Sequence, residues 1–234
     1  MAGPIMTTTA TSTLAGTGRG AARRAPGINA WLAHRAVKPL VFMLALVPFV
    51  LLVAGAATDT LGANPAEALI RSSGDWTLRL LCLTLAVTPL RTVTGWHVLA
   101  RWRRMLGLFT FFYACCHFLS YAWLDKGFDL AAITRDIGKR PFILVGATML
   151  LLLLPLAATS FDRAIKALGA ARWRALHRVV YAIALLALLH FYWMRAGKHD
   201  FAEVAVYAAI IGALLGWRVF AAARERLARP VSQR

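Results

Sequence analysis

Apolar residues in this chain come in runs of membrane length, and the charges collect between them. Pro39 to Thr58, Met105 to Leu124 and Phe142 to Phe161 contain no Lys, Arg, Asp or Glu. Each is about twenty residues, the length that crosses the hydrocarbon core of a bilayer as a helix. Trp173 to Met194 is interrupted by charge only near its start, at Arg174 and Arg178, and Phe201 to Phe220 only near its ends, at Glu203 and Arg218. A shorter run from Trp76 to Leu90 contains Arg79. Pro48, Pro89 and Pro155 fall within or at the ends of these runs, which membrane helices tolerate. The pattern predicts an all-α integral membrane protein, a six-transmembrane-helix bundle.

The basic residues orient it. Arg19, Arg23, Arg24, Arg35 and Lys38 precede the first run. Arg91, Arg101, Arg103 and Arg104 follow the second, Arg163, Lys166, Arg172 and Arg174 follow the fourth, and Arg218, Arg224, Arg226, Arg229 and Arg234 end the chain. The alternate connections balance their charges: Arg71 stands against Asp59, Glu67 and Asp75, and the stretch 125–140 mixes both signs. Positive residues accumulate on the cytoplasmic side, so both termini are expected in the cytoplasm. Residues 1–36 read as a disordered basic leader, 37–221 as the six-helix domain and 222–234 as a basic cytoplasmic tail. An uncleaved leader is expected because no apolar signal core precedes Arg23 and Arg24.

Composition agrees and adds exclusions. Of 234 residues, 59% are hydrophobic and 16% charged, too little charge for a soluble domain of this size. The net charge of +17 is distributed between the apolar runs, not in a stripe beside exposed aromatics, which excludes nucleic acid as a partner. Cys82, Cys115 and Cys116 lie inside apolar runs without C-x-x-C spacing and read as small buried hydrophobes. No Gly-x-Gly-x-x-Gly or Walker loop is present, so no nucleotide site is expected.

Depth singles out two histidines. His117 lies thirteen residues beyond Arg104, roughly 20 Å into its helix, and His190 lies sixteen beyond Arg174, roughly 24 Å into its own. On the expected topology both sit toward the periplasmic side on different helices, with aromatics around them. Imidazoles from facing helices suit axial ligation of an iron porphyrin in a bundle core. The competing reading is that each forms a hydrogen bond across a helix interface. His177 stands thirteen residues before His190, near the cytoplasmic face, where a second haem, a propionate, a flavin or a quinone would be its functional partner. His34, His97 and His199 read as solvated loop residues. Arg79 is read either as snorkelling to the interface or as contacting a haem propionate. Arg104, with Arg101 and Arg103, is read as a topology determinant or as part of an anionic-cofactor site.

An ordered set of short motifs then carries a resemblance. Thr88-Pro89-Leu90-Arg91, Arg103-Arg104-Met105-Leu106-Gly107-Leu108, Tyr113 with His117 and Tyr121, and Arg140-Pro141-Phe142 are followed by Thr159-Ser160, Leu168-Gly169, Trp173 with Leu176, His177 and Tyr181, and Leu189-His190 with Trp193. Over about 39–220 the chain resembles the MsrQ (YedZ) family. These are haem-binding membrane subunits of a bacterial protein-methionine-sulfoxide reductase system, within the ferric-reductase-like transmembrane superfamily.

The resemblance implies a bacterial inner-membrane cytochrome carrying one or two b-type haems, with His117, His177 and His190 as the associated histidines. It implies electrons from the quinone pool, or from a cytosolic flavin reductase. It also implies FMN as a further cofactor, and as partner a periplasmic molybdopterin reductase of the MsrP type that repairs oxidised methionines. Arg104 stands where related two-haem members carry a fourth histidine. The chain is thus expected to be an electron-transfer subunit. The alternatives are a stand-alone ferric-chelate or quinone reductase and, from a different class, a non-redox transporter or assembly factor.

Overall fold

The computed structural model describes residues 27–197 and 199–228; the expectations for residues 1–26 of the leader and 229–234 of the tail lie outside these. The described residues are helical, with no strand among them. Helix α1 (Ile28–Leu32) is one short turn, and α2 (Val37–Ala57) follows. Next come α3 (Pro65–Thr94), a 3-10 turn at His97–Leu99, and α4 (Ala100–Ser120), which runs into a π-helical turn at Tyr121–Asp125. A connecting helix α5 (Leu130–Lys139) leads to α6 (Pro141–Ala158). The short α7 (Asp162–Leu168) and α8 (Ala170–His177) precede α9 (Val179–Ala196), and α10 (Ala202–Ala228) closes the described chain.

Five helical stretches are long and apolar enough to cross a membrane: Val37–Ala57, His97–Asp125, Pro141–Ala158, Ala170–Ala196 and Ala202–Ala228. Helix α3, with 30 residues, has the length but not the apolarity, because Glu67, Arg71, Asp75, Arg79 and Arg91 dilute it. The apolar run covers only 76–90; the helix begins eleven residues earlier. Asn64 accepts a hydrogen bond from Glu67 N at 3.1 Å, Pro65 occupies the first turn, and Glu67 pairs with Arg71 at 3.1 Å. These are strong start signals for a helix. Gly95 at φ 71° ends it, a left-handed position that costs glycine little.

The polar helix is the packed one. Leu78, Leu81, Cys82 and Leu85 of α3 join Leu153 and Leu156 of α6, Ile183 and Ala184 of α9 and Ile211 of α10 in one cluster. Leu80 and Val87 of α3 join Leu106, Phe109 and Tyr113 of α4 in a second. By contrast, α2 leaves Leu40, Met43, Leu44, Val50 and Leu51 exposed, a side suited to lipid. A helix shielded by neighbours needs less apolar surface than one facing lipid on most sides, so α3 accommodates its charges. The bundle consists of two close helix pairs, α3 with α4 and α6 with α9, joined where α4 meets α6.

Candidate functional site

The two pairs meet at two imidazole rings. His117 on α4 and His190 on α9 have ring centroids 6.2 Å apart with planes at 90°. Each ring is held from the neighbouring helix. His117 Nδ1 lies 2.8 Å from Ile70 O on α3, and His190 Nδ1 lies 2.7 Å from Phe142 O on α6. A carbonyl only accepts, so each Nδ1 carries the proton and donates, which leaves the lone pair on each Nε2. Among the described residues no hydrogen bond reaches either Nε2. Two bonds of about 2 Å from ring nitrogens to one metal, plus about 1.1 Å from each nitrogen to its ring centre, separate the centroids by about 6 Å. The observed separation fits that arrangement.

The donor set narrows the metal. Among the described residues no group of three or more His, Cys, Asp or Glu side chains converges on a common point. Two imidazoles alone would suit a metal whose other coordination positions are filled by a macrocycle. A lone protein-bound zinc would require three or four side chains. Phe142 lies beside His190 with ring centroids 6.3 Å apart, and Tyr113, which is fully buried, sits one turn before His117.

The other predicted residues lie apart from this pair. His177 ends α8, and a single turn residue, Arg178, joins it to α9, which carries His190. Its Nε2 lies 3.2 Å from Thr159 Oγ1, and its ring stacks on Trp173 at 4.1 Å. Residues 173–194 lie within one helical stretch, Ala170–Ala196, with only a local turn at Arg178, whose N–H bonds back to Arg174 O and Ala175 O. Arg104 pairs with Asp162 at 2.8 Å on a half-exposed surface. Arg79 lies over Trp76, 4.8 Å from the ring centroid. It lines an apolar groove of about 760 Å³ between α3 and α10, together with Cys82, Glu203 and Tyr207. Because α3 starts early, Arg79 falls near the middle of the helix, not near its end. His34 Nδ1 accepts from Ala36 N at 3.3 Å, His97 lies in the 3-10 turn, and His199 is exposed.

Sequence reasoning missed the accepting carbonyls, since any residue has one. It also missed the work of Arg218, whose Nη2 donates to Leu85 O at 2.9 Å while its guanidinium lies over Tyr181 at 5.1 Å. The signal was present: Pro89 has no N–H, so Leu85 O lacks its partner four residues on.

Comparison with known proteins gives the family. The family model "Ferric reductase like transmembrane component" matches residues 73–188, which include His117 and end two residues before His190. The protein-methionine-sulfoxide reductase heme-binding subunit MsrQ of Polaromonas naphthalenivorans is 62% identical over 204 residues, covering 86% of this chain and 93% of that one. The chain belongs to the MsrQ family. The MsrQ proteins of Ralstonia nicotianae and Herminiimonas arsenicoxydans are 56% and 51% identical, across 80% and 81% of this chain and 86% and 87% of theirs. No solved structure matches the chain. The stretch shared with the MsrQ relatives thus takes in most of the described helices, with the histidine pair inside it.

Proposed function

We propose that this chain is the haem-carrying membrane subunit of a protein-methionine-sulfoxide reductase. A b-type haem is held between His117 and His190, and electrons cross the bilayer through the chain to a periplasmic molybdopterin subunit of the MsrP type. The observation that carries this reading is the pair of orthogonal imidazoles, 6.2 Å apart, each with Nδ1 committed to a backbone carbonyl. The printed names of the relatives, which call them heme-binding subunits, support it.

The chain's own residues do three things in this reading. The Ile70 and Phe142 carbonyls fix tautomer and ring orientation and raise the basicity of each Nε2. The Phe142 ring, beside His190, helps to exclude water and lower the local dielectric. Arg79, in the groove beside α10, supplies a cation for a propionate. When bound, the haem supplies a reversible one-electron couple at iron. His177 works separately on the cytoplasmic side, as the ligand of a second haem or a contact for an entry cofactor, and FMN is that cofactor in the family pattern. Arg104, bridged to Asp162, belongs to the same cytoplasmic face. Electrons enter from the quinone pool or from a cytosolic flavin reductase.

The chain lies in the bacterial inner membrane with six spans and both termini in the cytoplasm. Helix α3 is the sixth span: its 30 residues extend about 45 Å, ample for a crossing. The test is the absorption spectrum of the purified protein. A b-type Soret band is expected in the wild type, and His117→Ala and His190→Ala each lose the part of it that belongs to the haem between these two residues. A full spectrum in either variant overturns the ligand assignment, and a wild type expressed with ample haem but lacking a Soret band overturns the redox function.

A further inference from the structure

The two halves of the histidine site follow one plan. His117 faces Ile70 and Gly74 on α3; His190 faces Phe142 and Gly146 on α6. In both halves the accepting carbonyl and the glycine are four residues apart. The carbonyl and its histidine are separated by 47 residues in one half and 48 in the other. The repeated spacing has a physical cause. Inside an α-helix the carbonyl of residue i already accepts from the N–H of residue i+4. That partner is Gly74 for Ile70 and Gly146 for Phe142. Here the second donor to each oxygen approaches over the Cα of residue i+4, where any other residue carries a Cβ.

The distances show how little room there is. A Cβ on Gly74 would lie 3.0 Å from His117 Cε1 and 3.1 Å from its Nδ1. A Cβ on Gly146 would lie 3.1 Å from His190 Cε1 and 3.3 Å from its Nδ1. These are contacts to the very edge of the ring that makes the hydrogen bond. The imidazole can yield only by turning about its axis or by retreating from the carbonyl. Gly55 in α2 is also crowded, but by the Leu61 side chain at 2.7 Å and not by a ring; a Cβ on Gly107 would meet Thr84 Cγ2 at 3.8 Å, and one on Gly212 would meet nothing within 4 Å. Glycine in a helix interior costs about 1 kcal/mol relative to alanine, and at positions 74 and 146 it makes room for the ring edge.

We infer that Gly74 and Gly146 are paired positioning residues for the metal-bound imidazoles. By admitting the second hydrogen bond at Ile70 O and Phe142 O, they set the rotation of each ring and hence the 90° angle between the two planes. The inference rests on the haem reading above. Perpendicular axial imidazoles give ferric low-spin haem a highly anisotropic paramagnetic resonance signal with a large gmax, whereas parallel planes give an ordinary rhombic one. The protein thus determines the electronic state of the iron through two missing methyl groups.

The experiment compares purified wild type with Gly74→Ala, Gly146→Ala and the control Gly107→Ala. The readouts are ferric resonance spectra, haem midpoint potential and haem retained per protein. The wild type is expected to show the large-gmax signal, and the control to superimpose on it. Each alanine variant at the site is expected to move gmax toward the rhombic position, shift the potential and weaken haem binding about 10- to 100-fold, the usual effect of disturbing a ligand's hydrogen-bond partner. Wild-type resonance and potential in both site variants would overturn the inference. A rhombic, parallel-plane signal in the wild type would do the same and needs no variant to accumulate. A wild type without any b-type haem would instead defeat the functional reading beneath it.

Discussion

At the scale of single residues, the histidines differ in the nitrogen they commit. His117 and His190 spend Nδ1 on a carbonyl, which keeps Nε2 open, whereas His177 engages Thr159 through Nε2. On that geometry His177→Ala should leave the His117–His190 haem spectrum in place. Haem per protein and the split of the α-band in the reduced state then show whether a second haem has been lost. A second residue-scale device lies in the connection before α6. Asp136 accepts from Lys126 at 2.7 Å and from the Tyr121 hydroxyl at 3.1 Å, and lies 3.6 Å from Arg140. The Lys126 hydrogen bond holds the Asp136 carboxyl below its ordinary value of 3.8, and Asp136 in turn holds the Lys126 amine above 10.5. For a depressed carboxyl the stabilisation is present above pH 3.8 and is lost as pH falls through the lower folded value. For the raised amine it is complete below pH 10.5 and fades as pH climbs past the raised value. Lys126→Met should therefore move the acid-side loss of stability to higher pH, read as melting temperature in detergent between about pH 2 and 5.

At the scale of helices, prolines open rungs that side chains from other helices fill. Near Pro48 in α2, the rung between Ala45 and Phe49 is bridged by the Tyr113 hydroxyl. That hydroxyl accepts from Phe49 N at 2.9 Å and donates to Ala45 O at 2.9 Å. Tyr113 is fully buried, so Tyr113→Phe strands a donor and an acceptor away from water. The expected loss is about 1–3 kcal/mol of stability, seen in detergent unfolding, with the packing of Phe112 and Trp76 on the ring retained. Pro89 in α3 leaves Leu85 O to Arg218 in the same way. Arg218→Met removes that donor and should destabilise by a similar amount, about 1–3 kcal/mol, while Pro89→Ala in that background restores a backbone partner and recovers part of the loss. A unfolding series of the two single variants and the double variant measures the coupling; strict additivity would exclude it.

At the scale of the whole molecule, α3 organises the bundle. It is the helix least like a membrane span by composition and the one set between the two apolar clusters. The six-span topology follows if α3 crosses. Asp129→Cys should then react with a membrane-impermeant thiol reagent in intact spheroplasts, and Arg224→Cys only after permeabilisation. Equal labelling of both from outside would break that topology. Five apolar spans were legible in the sequence because each faces lipid along much of its length and must be apolar to do so. The extent of α3 was obscured because its neighbours, not its own residues, shield it from lipid.

The sequence by itself determined what depends on position along a helix axis: where the apolar runs lie, which connections are basic, and that His117 and His190 stand at matched depth. A rise of about 1.5 Å per residue makes such depths countable from a string. The tertiary structure decided what depends on rotation and on neighbours. It chose which carbonyls take the Nδ1 protons, brought Gly74 and Gly146 against the ring edges, turned the imidazole planes to 90°, and set His177 against Thr159. Helix rotation and partner choice come from side-chain packing across distant segments, and no linear spacing encodes them. The two histidines stand at one depth because of their own helices, and their rings are placed by the backbones of two others.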